Sequence, residues 1–114
     1  KNNTMKKLMI LSTLLIAGFS FGQKVYPVKY ESQADVKVDV VDYESQCDLK
    51  VYKVKYESQT SGNKGRWFNV NYESQADKKI FFVKYESQAD LKIYYVDYES
   101  QSGWKNSSKK GLMQ

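Results

Sequence analysis

The chain has 114 residues, 18 basic and 13 acidic side chains, a formal net charge of +5, no histidine and one cysteine. Without an imidazole, Ser–His and Cys–His nucleophilic catalysis and most zinc chemistries are excluded, and a single thiol excludes a disulfide within the chain. A chain of this length holds one small domain, which buries only about 60–65% of the surface its unfolded form exposes.

Taken from the start, residues 1–22 read as a secretory signal peptide. Lys6 and Lys7 precede an apolar run from Leu8 to Phe19, and Ser20 and Gly22 place small residues three and one positions before a cleavage point. The run is shorter than the roughly 18–20 apolar residues of a membrane span, and no cysteine directly follows it to carry a lipid. Met5 is the expected start, with Lys1–Thr4 upstream of it, and cleavage leaves Gln23 first, a residue able to cyclise. The protein is therefore expected in the periplasm or outside the cell, with no stable membrane anchor. With Lys1, Lys6 and Lys7 set aside, 15 basic residues face 13 acidic ones, a net charge of +2. The basic balance belongs mostly to the signal segment and gives no argument for a nucleic-acid partner.

From Tyr30 onward one tetrapeptide returns six times: Tyr30-Glu31-Ser32-Gln33, Tyr43-Glu44-Ser45-Gln46, Tyr56-Glu57-Ser58-Gln59, Tyr72-Glu73-Ser74-Gln75, Tyr85-Glu86-Ser87-Gln88 and Tyr98-Glu99-Ser100-Gln101. The intervals are 13, 13, 16, 13 and 13 residues, and 30–59 laid over 72–101 matches at 21 of 30 positions, so a three-copy unit has been duplicated. The segments between motifs, such as "ADLKIYYV", are rich in β-branched and aromatic residues and predict strands. Lys24, Lys37, Lys50, Arg66, Lys79 and Lys92 begin these runs, a β-branched residue or tryptophan follows each, and a valine comes three residues after that: Val28, Val41, Val54, Val70, Val83 and Val96. That spacing breaks in/out alternation and predicts covered faces or a bulge. Pro27 predicts an edge position for the first strand. Alternation continued through the motif puts the valine, tyrosine and serine on one face, glutamate and glutamine on the other. A tyrosine hydroxyl needs a partner when buried. The motif reads as a structural joint where a strand bends or crosses another, satisfying backbone groups.

Tandem "YESQAD" units alternating with "LKIYYVDYESQ" resemble a family of small bacterial proteins of unknown function with a deep septoil (seven-crossing) knot in an all-β chain. The resemblance covers residues 24 to about 106. The copies at 30, 43, 72 and 85 keep Asp35, Asp48, Asp77 and Asp90; those at 56 and 98 depart to Thr60-Ser61 and Ser102-Gly103. The resemblance implies winding strands tied into a compact, monomeric domain over 23–106. It implies no catalytic residues and no assigned activity.

The chemistry legible in the chain is sparse. The repeated carboxylates lack the Gly-Asp-rich loops of calcium sites, and nothing singles out one pair for glycoside hydrolysis. No metal, no cofactor and no enzymatic activity are expected. Cys47 occupies a slot held elsewhere by Ala34, Ala76 and Ala89; it reads as a small packed residue, the alternative being an intermolecular disulfide or reactive thiol. Trp67 and Trp104 follow Gly-containing loops and read as core filling, the alternative being a platform for a flat ligand. Residues 107–114, with Lys109 and Lys110, are expected as a flexible basic tail. The leading expectation is an exported, unfolding-resistant structural or binding domain. A glycan- or surface-binding module using tryptophan and tyrosine comes second. A secreted fibre subunit comes third, because in-register stacking would set like charges on one another.

Overall fold

The computed structural model of the protein describes residues 23–114; the expected signal peptide and Met5 start lie outside the described residues. Seven strands form where the β-branched and aromatic runs lie: β1 (Lys24–Pro27), β2 (Val36–Val40), β3 (Leu49–Lys53), β4 (Arg66–Asn69), β5 (Lys78–Phe82), β6 (Leu91–Tyr95) and the short β7 (Gly103–Trp104). A 3-10 turn built on each motif follows every one of the first six strands, and a longer 3-10 helix, Ser107–Met113, ends the chain.

The strands are arranged in the order β4-β1-β5-β2-β6-β3, and β3 pairs back onto β4, so six parallel strands close into a barrel; β7 adds to β3 in antiparallel sense. Each strand of the first half therefore lies between two strands of the second. The register is steeply staggered. Pro27 and Val36 both face Ile80, Val38 faces both Phe82 and Leu91, and Val40 and Leu49 both face Ile93. Such a stagger tilts the strands of a barrel strongly from its axis. It also removes the long return that parallel pairing usually needs. The end of one strand and the start of the next in sequence flank the same residue of the strand between them, and the chain has only to step over that strand.

At five of its six copies the motif is that step; around the third, β3 and β4 pair directly. The turns at 31–33, 44–46, 86–88 and 99–101 pack over β5, β6, β2 and β3 respectively, and their exposure places them on the outside. Every step over an intervening strand is a crossing of the chain with itself. The backbone closes each turn identically: Gln33 N donates to Tyr30 O at 3.0 Å, and the same bond recurs at Gln46, Gln59, Gln75, Gln88 and Gln101.

The barrel interior is filled by alternate strand residues: Val25, Val36, Val38, Leu49, Val51, Trp67, Ile80, Leu91 and Ile93, all at most 2% exposed. Burial of such side chains is worth roughly 1.5–3 kcal/mol each, and this is what holds a sheet whose outer positions are only half-covered. The valine spacing has a simpler origin than a covered face or a bulge. Each strand ends one residue before its valine, and the valine N–H still bonds to the neighbouring strand (Val28 to Ile80 O, Val41 to Ile93 O, both 2.8 Å) as the chain turns out. Val28, Val41, Val54, Val70 and Val83 are thereby buried at the base of the turn.

Three expectations are corrected. Pro27 does not mark an edge, since β1 is paired on both sides; it is tolerated because pairing with β4 ends at Val25, two residues earlier, so the missing N–H faces no ladder acceptor. The motif does not continue the alternation of the strand: the bonds of the 3-10 turn replace the ladder, and the tyrosine rings are turned outward. Residues 107–114 are not a flexible tail. Met113 is 1% exposed and joins the core, Gln23 Nε2 donates to Met113 O at 2.9 Å, Asn63 Nδ2 to Lys110 O at 2.9 Å, and Lys109 Nζ to Asp90 O at 2.8 Å. The segment is a plug, drawn in by Met113 with Leu112 packed beside it.

Candidate functional site: the crossing turns

Four of the crossings are secured by the aspartate that follows the motif. Asp35 N donates to Lys79 O at 2.7 Å while Lys79 N donates to Asp35 Oδ2 at 2.8 Å, so one residue satisfies both backbone groups of the strand being crossed. The same reciprocal pair joins Asp48 to Lys92, Asp77 to Lys24 and Asp90 to Lys37. Hydrogen bonds to a carboxylate are roughly twice as strong as neutral ones, and an aspartate reaches its partner's N–H while its own backbone holds the adjacent C=O. Where the unit ends, at Thr60 and Ser102, there is no aspartate and the turn is closed from within. Thr60 Oγ1 and Ser102 Oγ donate to Glu57 O and Glu99 O at 2.7 and 2.8 Å, and Gln59 Oε1 and Gln101 Oε1 accept from Tyr56 N and Tyr98 N.

The motif glutamates have a lesser role. Glu31, Glu73 and Glu86 pair with the lysine that opens the next strand (Lys37, Lys79 and Lys92) at 3.5–3.9 Å, while Glu57 and Glu99 reach Lys24 and Arg66 across the sheet. These carboxylates are well exposed, so each pair is worth at most about 1 kcal/mol.

The motif tyrosines serve the fold through their backbone, whose carbonyls close the turns, and the rings add little to it. Tyr30, Tyr43, Tyr56, Tyr72, Tyr85 and Tyr98 are 64–67% exposed, share one extended backbone conformation with φ from −120 to −128°, and their hydroxyls bond to no other described residue. Six aromatic rings are thus held out at equivalent stations around the barrel. Ser32, Ser45, Ser58, Ser74, Ser87 and Ser100 are exposed beside them.

The proposed tryptophan platform is corrected. Trp67 is 2% exposed and fills the barrel, because β4 places it at the inward position that valine or isoleucine takes elsewhere. Trp104 is half-buried against the core, and its indole N–H is committed to Asn63, at 3.0 Å to O and 3.2 Å to Oδ1. Neither ring offers an open face of the kind the tyrosines do. Cys47 is a free, buried thiol, and burial pushes its pKa above the ordinary value of 9.0, which keeps it neutral and poorly nucleophilic. Among the described residues no group of three or more Cys, Asp or Glu side chains is placed to hold a metal ion.

Compared with known proteins, the chain matches the family model of the 7(1) septoil knot domain over residues 22–105. No curated protein and no solved structure matches it. The match ends before the Ser107–Met113 plug.

Proposed function

We propose, for a chain that belongs to the septoil knot family, an exported, non-catalytic role: a monomeric, unfolding-resistant scaffold that presents the tyrosines of its crossing turns to an extracellular surface polymer. One observation carries this reading. The rings of six tyrosines, none less than 64% exposed, stand where no packing or hydrogen bond of the fold requires them. Exposed aromatic rings with a wet hydroxyl tip suit contact with partners that are apolar on one face and polar on the other, and glycans are the extracellular polymers of that character. Repetition adds avidity when several stations engage one polymer. The fibre reading is less favoured, since β1–β6 are each paired on both sides and a closed barrel offers no edge for strand addition.

The test is retention on insoluble polysaccharides (cellulose, chitin and peptidoglycan) of the natural protein and of a variant with all six motif tyrosines changed to serine. Retention at least tenfold weaker in the variant, with unchanged unfolding, is the expected result. Equal retention of the two, or retention of neither, would sink the reading. Export is tested separately by cell fractionation, where accumulation in the cytoplasm is the contrary outcome.

A further inference from the structure

The six stations are not equivalent in their surroundings. Between β4, β1 and the turns at 57–60 and 73–75 lies an open groove of about 840 Å3, with Phe68 half-buried in its wall and Asn69, Asn71, Ser74, Gln75 and Asp77 around it. The repeat is altered at this place. The residue before the motif tyrosine is charged in the other five copies (Lys29, Asp42, Lys55, Lys84 and Asp97) but is Asn71 here, and two positions earlier Asn69 replaces Pro27, Val40, Lys53, Phe82 or Tyr95. The side chains of Asn69, Asn71, Ser74 and Gln75 hydrogen-bond to no other described residue. The charges at the rim are already engaged: Lys24 Nζ lies 3.7 Å from Glu57 Oε1, and Asp77 Oδ2 accepts from Lys24 N at 3.0 Å.

We infer that this groove is a binding subsite for a neutral oligosaccharide. Three amides and a hydroxyl supply paired donors and acceptors that match vicinal sugar hydroxyls, and Phe68 supplies an apolar wall for the C–H face of a ring. The lining holds two carboxylates against one lysine, so a polyanion is disfavoured there. Concave sites that combine a few convergent polar groups with an aromatic wall are where small ligands bind. The inference rests on the surface-binding reading above and narrows it to one locus and one ligand class.

Cellohexaose and a hexamer of β-1,4-linked N-acetylglucosamine would be titrated into isotopically labelled protein produced from the full chain, following side-chain amide and backbone resonances. Saturable shifts centred on Asn69, Asn71 and Gln75 are expected with at least one of the two. Asn71→Lys restores the residue that three other copies carry and so preserves the fold; it should weaken that affinity at least tenfold. Asp42→Asn and Lys84→Asn, exposed changes at the equivalent position on the opposite side of the barrel, should leave it unchanged. Shifts spread evenly over all six motifs would overturn the groove while sparing the tyrosine surface. Tighter binding of polygalacturonate than of either neutral hexamer would overturn it too. No shift with either hexamer at millimolar concentration would also overturn the groove, and the polysaccharide retention assay would then show whether the broader reading falls with it.

Discussion

Asp48 and Asp35 make the same reciprocal bond to a crossed strand, yet truncating them should differ in cost severalfold. Asp48→Ala removes the acceptor of Lys92 N at 2.9 Å, of Asn106 Nδ2 at 3.3 Å, and the partner of Lys109 Nζ at 3.8 Å. Asp48 is 6% exposed, so the lost charge-assisted bond is worth about 1.5–3 kcal/mol, and the stranded Lys92 N–H adds about 1 kcal/mol. The pair with Lys109 adds less than about 1 kcal/mol, half-exposed as it is on the lysine side. A total of about 2.5–5 kcal/mol follows. Asp35→Ala removes only the bond from Lys79 N at 2.8 Å, at an exposed site where water replaces it, for about 1 kcal/mol. Urea unfolding followed by tryptophan fluorescence reports directly, because Trp67 sits in the core. Run in both directions to establish reversibility, and with a slope of roughly 1.5 kcal/mol/M, it should show a midpoint about 2 M lower for Asp48→Ala and well under 1 M lower for Asp35→Ala. Equal losses in the two variants, or a loss under about 1 kcal/mol at Asp48, would refute the reasoning.

Other consequences can be checked with the same material. Met113→Ala should cost about 2–5 kcal/mol, the range for emptying a buried methionine site; a frayed tail would give a loss near zero. Gly65→Ala should leave little folded protein by circular dichroism. Gly65 holds φ at +79°, and a Cβ there would collide with Lys50 O, a backbone atom that cannot swing away. Burial raises the Tyr95 phenol above its ordinary value of 10.0. The unfolded chain therefore ionises first, and stability from this group is complete below pH 10 and lost as the pH climbs through the folded-state pKa. Tyr95→Phe should flatten that part of the alkaline stability profile, and an unchanged slope would contradict the assignment. Cys47 should react with a thiol reagent at pH 8 only as fast as the protein opens, so rapid stoichiometric labelling of native protein would show the burial to be wrong.

The strands, the duplication and the all-β class are legible in the sequence because each depends on local pattern: β-branched runs at constant spacing, and one unit written twice. The strand order is not, since it depends on a stagger that only the assembled register reveals. Once Pro27 and Val36 face one residue, the next strand must lie two places away, and neither residue signals this alone. The tyrosine faces were misjudged for a related reason. Alternation holds only while a ladder continues, and the 3-10 bonds at Gln33 and its equivalents end it. The aspartate clamp had a signal in plain view: Asp follows at five residues from four tyrosines and is missing from the two copies that end a unit. Met113 gave almost none, because Leu112 and Met113 are two adjacent apolar residues in a polar segment and carry no periodicity; what buries Met113 is contact with the core that the strands assemble.

The central claim is that each strand of one half is inserted between two strands of the other, with the motifs stepping over the outside. Cross-strand nuclear Overhauser effects test it most directly. Contacts from β2 should run to β5 and β6, joining Lys37 to Phe81 and Asp39 to Lys92, and β3 should close the ring through Tyr52 to Arg66. They should persist undiluted when labelled protein is mixed with excess unlabelled protein. Contacts joining β1 directly to β2, residues 13 apart as in a simple stacked solenoid, would contradict the account.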